Sequence, residues 1–213
     1  MTIIMANTIH HHVNQFNSNN KGAGLIVIEN IPKNTIIIKE KPGAFISYEN
    51  KSESSHNDMY RMIYKIFYQS PNETVLKFLK LTPHILDLYC LPYAFYKSEI
   101  VTIQNKKIRN TLLSIESKDL RLYCAKYCRN AFRFLNGSAL LFNGTLNNHS
   151  CYPNVSFKES DGYMIFKTIR DIRKGEELYI SYINTTNMNT KERQNHLLKN
   201  YGFICECIKC KMR

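Results

Sequence analysis

The sequence predicts a mainly β fold carrying α insertions, an α+β architecture, and three observations support that expectation. Residues 22–48, GAGLIVIENIPKNTIIIKEKPGAFISY, are short β-branched runs broken by turn signals at Asn30, Pro32–Asn34 and Pro42–Gly43. Over Met59–Tyr68, NETVLKFLK and HILDLYC, and again from Lys106 to about Phe132, the apolar residues recur at helical spacing. After Gly137 the β pattern returns in ALLF, VSFKES, YMIFKTI and LYISYI.

Taken in order, the opening MTIIMANTIHHHVNQF lacks a basic n-region and a long apolar core, so it does not read as a secretory signal. His10–His12 form a polar entry to the first strand that could also take a metal opportunistically. The glycines of Lys21–Gly24 predict a close-approach loop leading into a strand. ENKSESSHND reads as a loop, and helices follow over Met59–Tyr68, NETVLKFLK and HILDLYC, punctuated by Pro71 and Pro83. A further helix is predicted from Lys106 to about Phe132. It and the adjoining Arg133 carry Lys106, Lys107, Arg109, Lys118, Arg121, Lys126, Arg129 and Arg133 against only Glu116 and Asp119. Asp161–Gly162 is a hairpin signal between two strands. RDIRKGEE is a turn, and Thr190–Lys199 a short helix capped by Asn189 or Thr190 with Glu192 in its first turn.

Composition bounds the function. A chain of 213 residues with 44% hydrophobic and 22% charged residues is an ordinary folded protein with room for one elaborate domain. No apolar run reaches the roughly 18–20 residues of a membrane span, so no membrane partner is expected. The net charge of +12 favours polyanions such as nucleic acid, although frequent Asn, Ile and Lys also fit a biased coding composition. Seven cysteines without an export signal point to reduced thiols or metal, and to an intracellular, reducing compartment of nucleus or cytoplasm.

The sharpest chemical signal is Cys205-x-Cys207-x-x-Cys210. Three thiolates so close can converge on one Zn²⁺, and a closed tetrahedral site asks for a fourth ligand. Cys151, Cys90, Cys124 and Cys128 are the candidates; the Cys124/Cys128 pair, four apart on a helix, reads more simply as core packing. Cys151 lies in NNHSCYPNV, residues 147–155, where two amides and an imidazole do not follow a packing pattern.

Gly22-Ala23-Gly24, then Asn148-His149-Ser150-Cys151-x-Pro153-Asn154, then Gly175-Glu176-Glu177-Leu178 with Ser181-Tyr182, then Tyr201-Gly202-Phe203 and the cysteine tail, resemble the SET-domain family of protein lysine methyltransferases. The chain is most similar to the branch that carries SET and MYND domains, and the match covers residues 21–48 and about 130–210. The resemblance implies a SET fold with a pseudoknot, a SET domain over 1–189 with a helical insertion at about 50–136, and a zinc-binding post-SET segment over 190–213. It implies S-adenosylmethionine held by Lys21, Gly22, Ala23, Gly24, Asn130, Asn148 and His149, with Tyr182 beside the transferred methyl. Tyr201 would line the lysine channel and Phe203 would stack on the adenine. Tyr182 and Tyr201 are thus the expected catalytic residues, and both would also contact the cofactor. Cys151, Cys205, Cys207 and Cys210 would bind one structural zinc. Glu177 is expected to make a structural hydrogen bond, and neither it nor Glu176 to be catalytic.

The sequence departs from the branch in three places. Residues 49–105 hold one cysteine, so no MYND finger is expected, and the long C-terminal helical extension of larger relatives is not expected either. Ala23 stands where many relatives carry a polar side chain, so cofactor contact there would be through backbone. The implied partner is a lysine-containing protein such as a histone tail, with nucleosome or DNA contact through the basic surface. The alternative reading is a non-catalytic SET-like module that binds chromatin or nucleic acid through residues 106–133.

Overall fold

The computed structural model describes residues 7–18, 22–48, 55–85 and 93–212. Lys21 and Cys90 lie outside them, as does most of the expected HILDLYC helix. The chain divides into two compact units: Met1–Lys41, Leu141–Lys199 and Phe203–Arg213 form the first, and Pro42–Leu140 with Asn200–Gly202 the second.

In the first unit, β1 (Thr8–Ile9), β4 (Ile36–Glu40), β10 (Tyr163–Thr168) and β9 (Val155–Ser160) form an antiparallel sheet in the order β1-β4-β10-β9. The β9–β10 hairpin turns at Asp161 (φ 52°) and Gly162 (φ 76°), the left-handed pair a two-residue turn demands. β2 (Val13–Ser18) pairs antiparallel with β3 (Gly22–Val27), and β8 (Asn148–His149) pairs parallel with β11 (Tyr179–Ile180). Leu25, Ile37, Ile38, Phe166, Leu178 and Leu197 are fully buried and make the core of this unit.

Glu40 at the end of β4 is buried, yet its carboxylate accepts the N–H groups of Asn143 and Gly144 at 2.9 and 2.8 Å. It thereby caps the 3₁₀ turn Gly144–Leu146 that delivers the chain to Asn147. Gly144 has no substitute there, since a Cβ would stand 2.6 Å from the Phe166 ring.

The second unit is largely helical: α1 (Ser55–Gln69), α2 (Asn72–Leu79), α3 (Tyr93–Ile100), α4 (Lys106–Ser114) and α5 (Ser117–Asn130), with the antiparallel sheet β5 (Ala44–Ser47), β7 (Gly137–Leu140) and β6 (Ala131–Phe134) in the order β5-β7-β6. Tyr60, Met62, Ile63, Ile66, Phe78, Leu112 and Leu120 fill its core. Taken with the first unit, the fold is mixed α and β.

Three expectations change here. α1 begins at Ser55, inside the stretch read as loop, and Asp58 in its first turn sits 3.4 Å from Arg61 one turn on. The single basic helix over 106–132 is two helices, because Ile115 is extended (ψ 137°) between residues that favour caps, and Ser114 turns its hydroxyl back to Thr111 O at 2.7 Å. Ala131 and Phe132 leave the expected helix and, with Arg133 and Phe134, pair with β7, burying Phe134. Within this basic run Lys126 is buried, its ammonium donating to the carbonyls of Leu81 and Pro83.

α6 (Thr190–Tyr201), which belongs to the first unit through Lys199, opens with a reciprocal cap: Glu192 N–H donates to Asn189 Oδ1 at 3.0 Å and Asn189 N–H to Glu192 Oε2 at 2.7 Å. The short helix α7 (Ile208–Lys211) ends the described tail.

Candidate functional site

The site grows from residues 147–155. The parallel pairing of β8 with β11 sets Tyr179 against Asn148 and Ile180 against His149, and Ser150 N–H extends it to Ile180 O at 3.0 Å. Asn154 clamps the two segments: its amide donates to Glu177 O at 2.8 Å and its Oδ1 accepts Tyr179 N–H at 2.7 Å. These bonds make the polar run a strand and a bend with fixed side-chain directions.

Asn148 meets the glycine loop. Its Nδ2 donates to Glu177 Oε1 at 2.7 Å and to Ala23 O at 3.3 Å, while the Tyr179 hydroxyl donates to the other oxygen of Glu177. The loop strand runs alongside, with Leu178 N–H donating to Leu25 O at 2.8 Å and Gly175 N–H to Val27 O at 2.7 Å. Gly24 is required by this proximity: a Cβ would lie 2.8 Å from Asn148 Nδ2 and 3.0 Å from Glu177 Oε1. Gly22 adopts φ +75°, the left-handed region.

His149 is buried and both its ring nitrogens are engaged within the chain. Nδ1 accepts Tyr182 N–H at 3.0 Å, which places the proton on Nε2, 3.3 Å from Cys151 Sγ. The ring lies 5.2 Å from that of Tyr182 and 5.9 Å from that of Phe203. The Tyr182 hydroxyl donates to Asn147 O at 2.8 Å. Asn147 Oδ1, on the same residue, is buried and has no hydrogen-bond partner among the described residues.

Cys151, Cys205, Cys207 and Cys210 present sulfurs that all lie within 4.8 Å of one another. Cys151 Sγ is 3.9 Å from Cys205 Sγ and 3.6 Å from Cys210 Sγ, close to the edge of about 3.8 Å that a tetrahedron with Zn–S bonds of about 2.3 Å requires. Burial, then the neighbouring Cys210, pushes the Cys151 thiol up, and burial likewise raises Cys205. Burial works to raise Cys207 too, but hydrogen bonds led by the one from Cys205 outweigh it and bring it to about 7. Four such thiols cannot ionise together without a cation, so the donor set fits a divalent thiophilic ion. Arg193, buried at the cluster's edge, supports that fit, because its guanidinium donates to Cys210 Sγ at 3.5 Å and to Lys209 O at 3.3 Å. A cation there offsets the net negative charge that four thiolates keep after one divalent ion binds. Cys124 and Cys128 belong to the second unit, where Cys124 is buried and Cys128 Sγ contacts Met59 Sδ at 3.6 Å.

The first unit therefore brings together Ala23, Gly24, Asn148, His149, Tyr182, Phe203 and the four cysteines. Asn130 and Tyr201 are described in the second unit. The Asn130 amide donates to Thr82 O at 2.6 Å and Lys126 O at 2.8 Å, and Tyr201 is half-buried, its phenol pushed up by burial and then by Cys128. Sequence reading missed Asn154, Tyr179 and Arg193. Asn154 stood inside a quoted motif, whereas no spacing pattern marked Arg193.

The first-unit residues also fit S-adenosylmethionine. Half-buried Tyr182 and Phe203 offer aromatic surface to a flat base or a sulfonium cation. The loop backbone and the oriented Asn148 offer polar contacts.

A small domain with a strand-borne Asn-His pair, a tyrosine beside it and a thiol-tied tail is the class that this fold and site define. The SET domain family matches residues 22–183. A SET domain-containing protein of Acanthamoeba polyphaga mimivirus is 38% identical over 194 residues, covering 89% of this chain and 74% of that protein. The histone-lysine N-methyltransferase SMYD3 of Homo sapiens is 29% identical over 161 residues, covering 70% of this chain and 37% of SMYD3. The solved structure of Rubisco LSMT bound to AdoMet shares the fold at a TM-score of 0.62 and 17% identity, covering 92% of this chain and 52% of that one. The chain belongs to the SET domain family.

Proposed function

We propose that the chain is an S-adenosylmethionine-dependent protein lysine N-methyltransferase, with one structural zinc held by Cys151, Cys205, Cys207 and Cys210. The observation that carries this reading is the position of His149, which meets Tyr182 N–H with one ring nitrogen and Cys151 Sγ with the other. Named lysine methyltransferases among the relatives support it, SMYD3 favouring a histone or other chromatin-associated lysine. The chain spans only part of such relatives, so substrate and partners are proposals with the rest. Reduced thiols imply an intracellular, reducing compartment.

Methyl transfer to an amine is an in-line displacement, helped most by alignment and exclusion of water. The bound donor would supply a methyl group already activated by its sulfonium. Tyr182 has committed its hydroxyl proton to Asn147 O, so its oxygen is left as an acceptor beside the reacting groups. His149 fixes the Tyr182 backbone, and the rings of His149, Tyr182 and Phe203 lie together as an aromatic wall that would limit water once the donor is bound. Asn148 is oriented by Glu177 and Ala23 O. In this reading Gly22, Ala23 and Gly24 contact the donor through backbone, and Tyr201 lines the lysine channel. Lys21 and Asn130 are the other donor contacts that the family resemblance implies. The substrate lysine, ordinarily near pKa of about 10.4, sheds its proton more readily in such a dry channel next to a cation.

A radiolabelled methyl assay on core histones, nucleosomes and a cell extract tests the proposal. Labelling is expected with the unmodified chain, and Tyr182→Phe should lower it by about 100-fold. Full activity in that variant removes Tyr182 from the site. Failure to bind S-adenosylmethionine in calorimetry instead favours the non-catalytic module.

A further inference from the structure

The turn joining β1 to β2 gathers three imidazoles. Val13 N–H donates to His10 O at 2.9 Å and closes the turn, while His10 N–H donates to Ile37 O and Ile28 N–H to His12 O, both at 2.8 Å. Consecutive side chains on a strand point to opposite faces, whereas this pinned turn makes them converge. Ring centroids stand 4.4 Å apart for His10 and His11, 4.1 Å for His11 and His12, and 5.1 Å for His10 and His12. One ring nitrogen from each lies within 4.8 Å of the others.

Glu29 follows the end of β3 and places Oε2 3.2 Å from His12 Nε2. That contact directs the Nε2 proton to the carboxylate and leaves the Nδ1 lone pair of His12 for a ligand, the arrangement by which carboxylates orient metal-binding histidines. His10 is buried, and its ring faces those of His11 and His12. Its Nδ1 accepts His12 N–H at 3.1 Å, so ligation through that nitrogen exchanges one neutral hydrogen bond for a metal bond.

We propose that this turn binds one divalent transition-metal ion through His10, His11 and His12, with Glu29 as the residue that orients His12. Imidazole donors select zinc, nickel, cobalt or copper over calcium and magnesium. The site shares no residue with the four cysteines, and it does not depend on the methyltransferase reading. Its occupation would tie the β1–β2 turn to the segment after β3.

Cobalt distinguishes the two metal centres, because only thiolate ligation gives a charge-transfer band in the near ultraviolet. The full chain, stripped of metal, is brought to equilibrium dialysis against Co²⁺, and bound metal is counted alongside that band. The expected result is an equivalent of cobalt beyond the one that accounts for the thiolate band. His11→Ala/His12→Ala should lose that additional equivalent and keep the band and the circular dichroism spectrum. Glu29→Gln should weaken it by about 10-fold. The proposal is overturned if the double variant retains the additional equivalent, or if the unmodified chain binds no cobalt beyond the thiolate band. Additional cobalt with no thiolate band at all would sustain this site and remove the cysteine centre.

Discussion

Replacing Cys151 by alanine should loosen both the tail and the tyrosine, and the size of the effect follows from contacts of one sulfur. Cys151 Sγ lies 3.3 Å from His149 Nε2, 3.9 Å from Cys205 Sγ and 3.6 Å from Cys210 Sγ. In metal-free protein the substitution strands a buried imidazole N–H, which costs about 1–3 kcal/mol. Lost packing around a buried sulfur adds about 1 kcal/mol. A total of about 3 kcal/mol lowers the Tm of a chain this long by about 6–12 °C. The comparison is made between metal-free forms of the unmodified chain and the variant, so that it isolates the thiol–imidazole contact from the metal. The second readout is calorimetric titration with S-adenosylmethionine, whose affinity should fall because Phe203 and Tyr182 both pack on the His149 ring. A metal-free variant that melts within about 2 °C of its parent, with donor affinity unchanged, refutes the idea that His149 couples the two centres.

Other residues give sharper local tests. Gly24→Ala drives a methyl against Asn148 and Glu177, so it should cost about 1–3 kcal/mol in urea unfolding and weaken donor binding. Glu177→Gln presents an NH₂ to one of two donors, Asn148 Nδ2 or Tyr179 OH, and should destabilise by about 1–3 kcal/mol in the same measurement. Glu176 is held below its ordinary value of 4.5, first by the hydrogen bond from Arg170 and also by Arg173 N–H. A depressed carboxyl contributes stability above its unfolded value and loses it as pH falls through the folded value. Thermal melts below pH of about 4.5 should therefore fall less steeply in Glu176→Gln than in the parent. The remaining basic surface, with Lys106, Lys107, Lys118 and Arg133 exposed, predicts nucleosome affinity that drops steeply with salt, and equal binding across salt removes that contact.

How far the sequence reached depends on whether a residue's role is local. The β9–β10 hairpin was legible because Asp161–Gly162 meets a backbone demand at two adjacent positions. The cysteine tail was legible because thiols at that spacing have few other uses, and Cys151 completes the cluster. The break between α4 and α5 was not, since no proline or glycine marks Ile115 and the basic run continues through it. Nor was the strand over 131–134, whose first two residues were expected to close the helix, since it is decided by pairing with β7. The part played by Arg193 was hidden for the same reason: its partners Met188, Thr190, Lys209 and Cys210 come together only after α6 and the tail have folded.

The alternation of side chains along β8 sets a constraint on length. Asn148 reaches toward the glycine loop, and the next residue, His149, reaches toward Tyr182 and Cys151. Deleting or inserting a single residue between Leu146 and Cys151 would rotate this series by one step, turning the amide to the sulfur and the imidazole to the loop. Chemically mild substitutions at these positions keep each side chain's address, whereas a one-residue slip exchanges the addresses of all of them. Tolerance to change in this segment is therefore governed more by spacing than by composition.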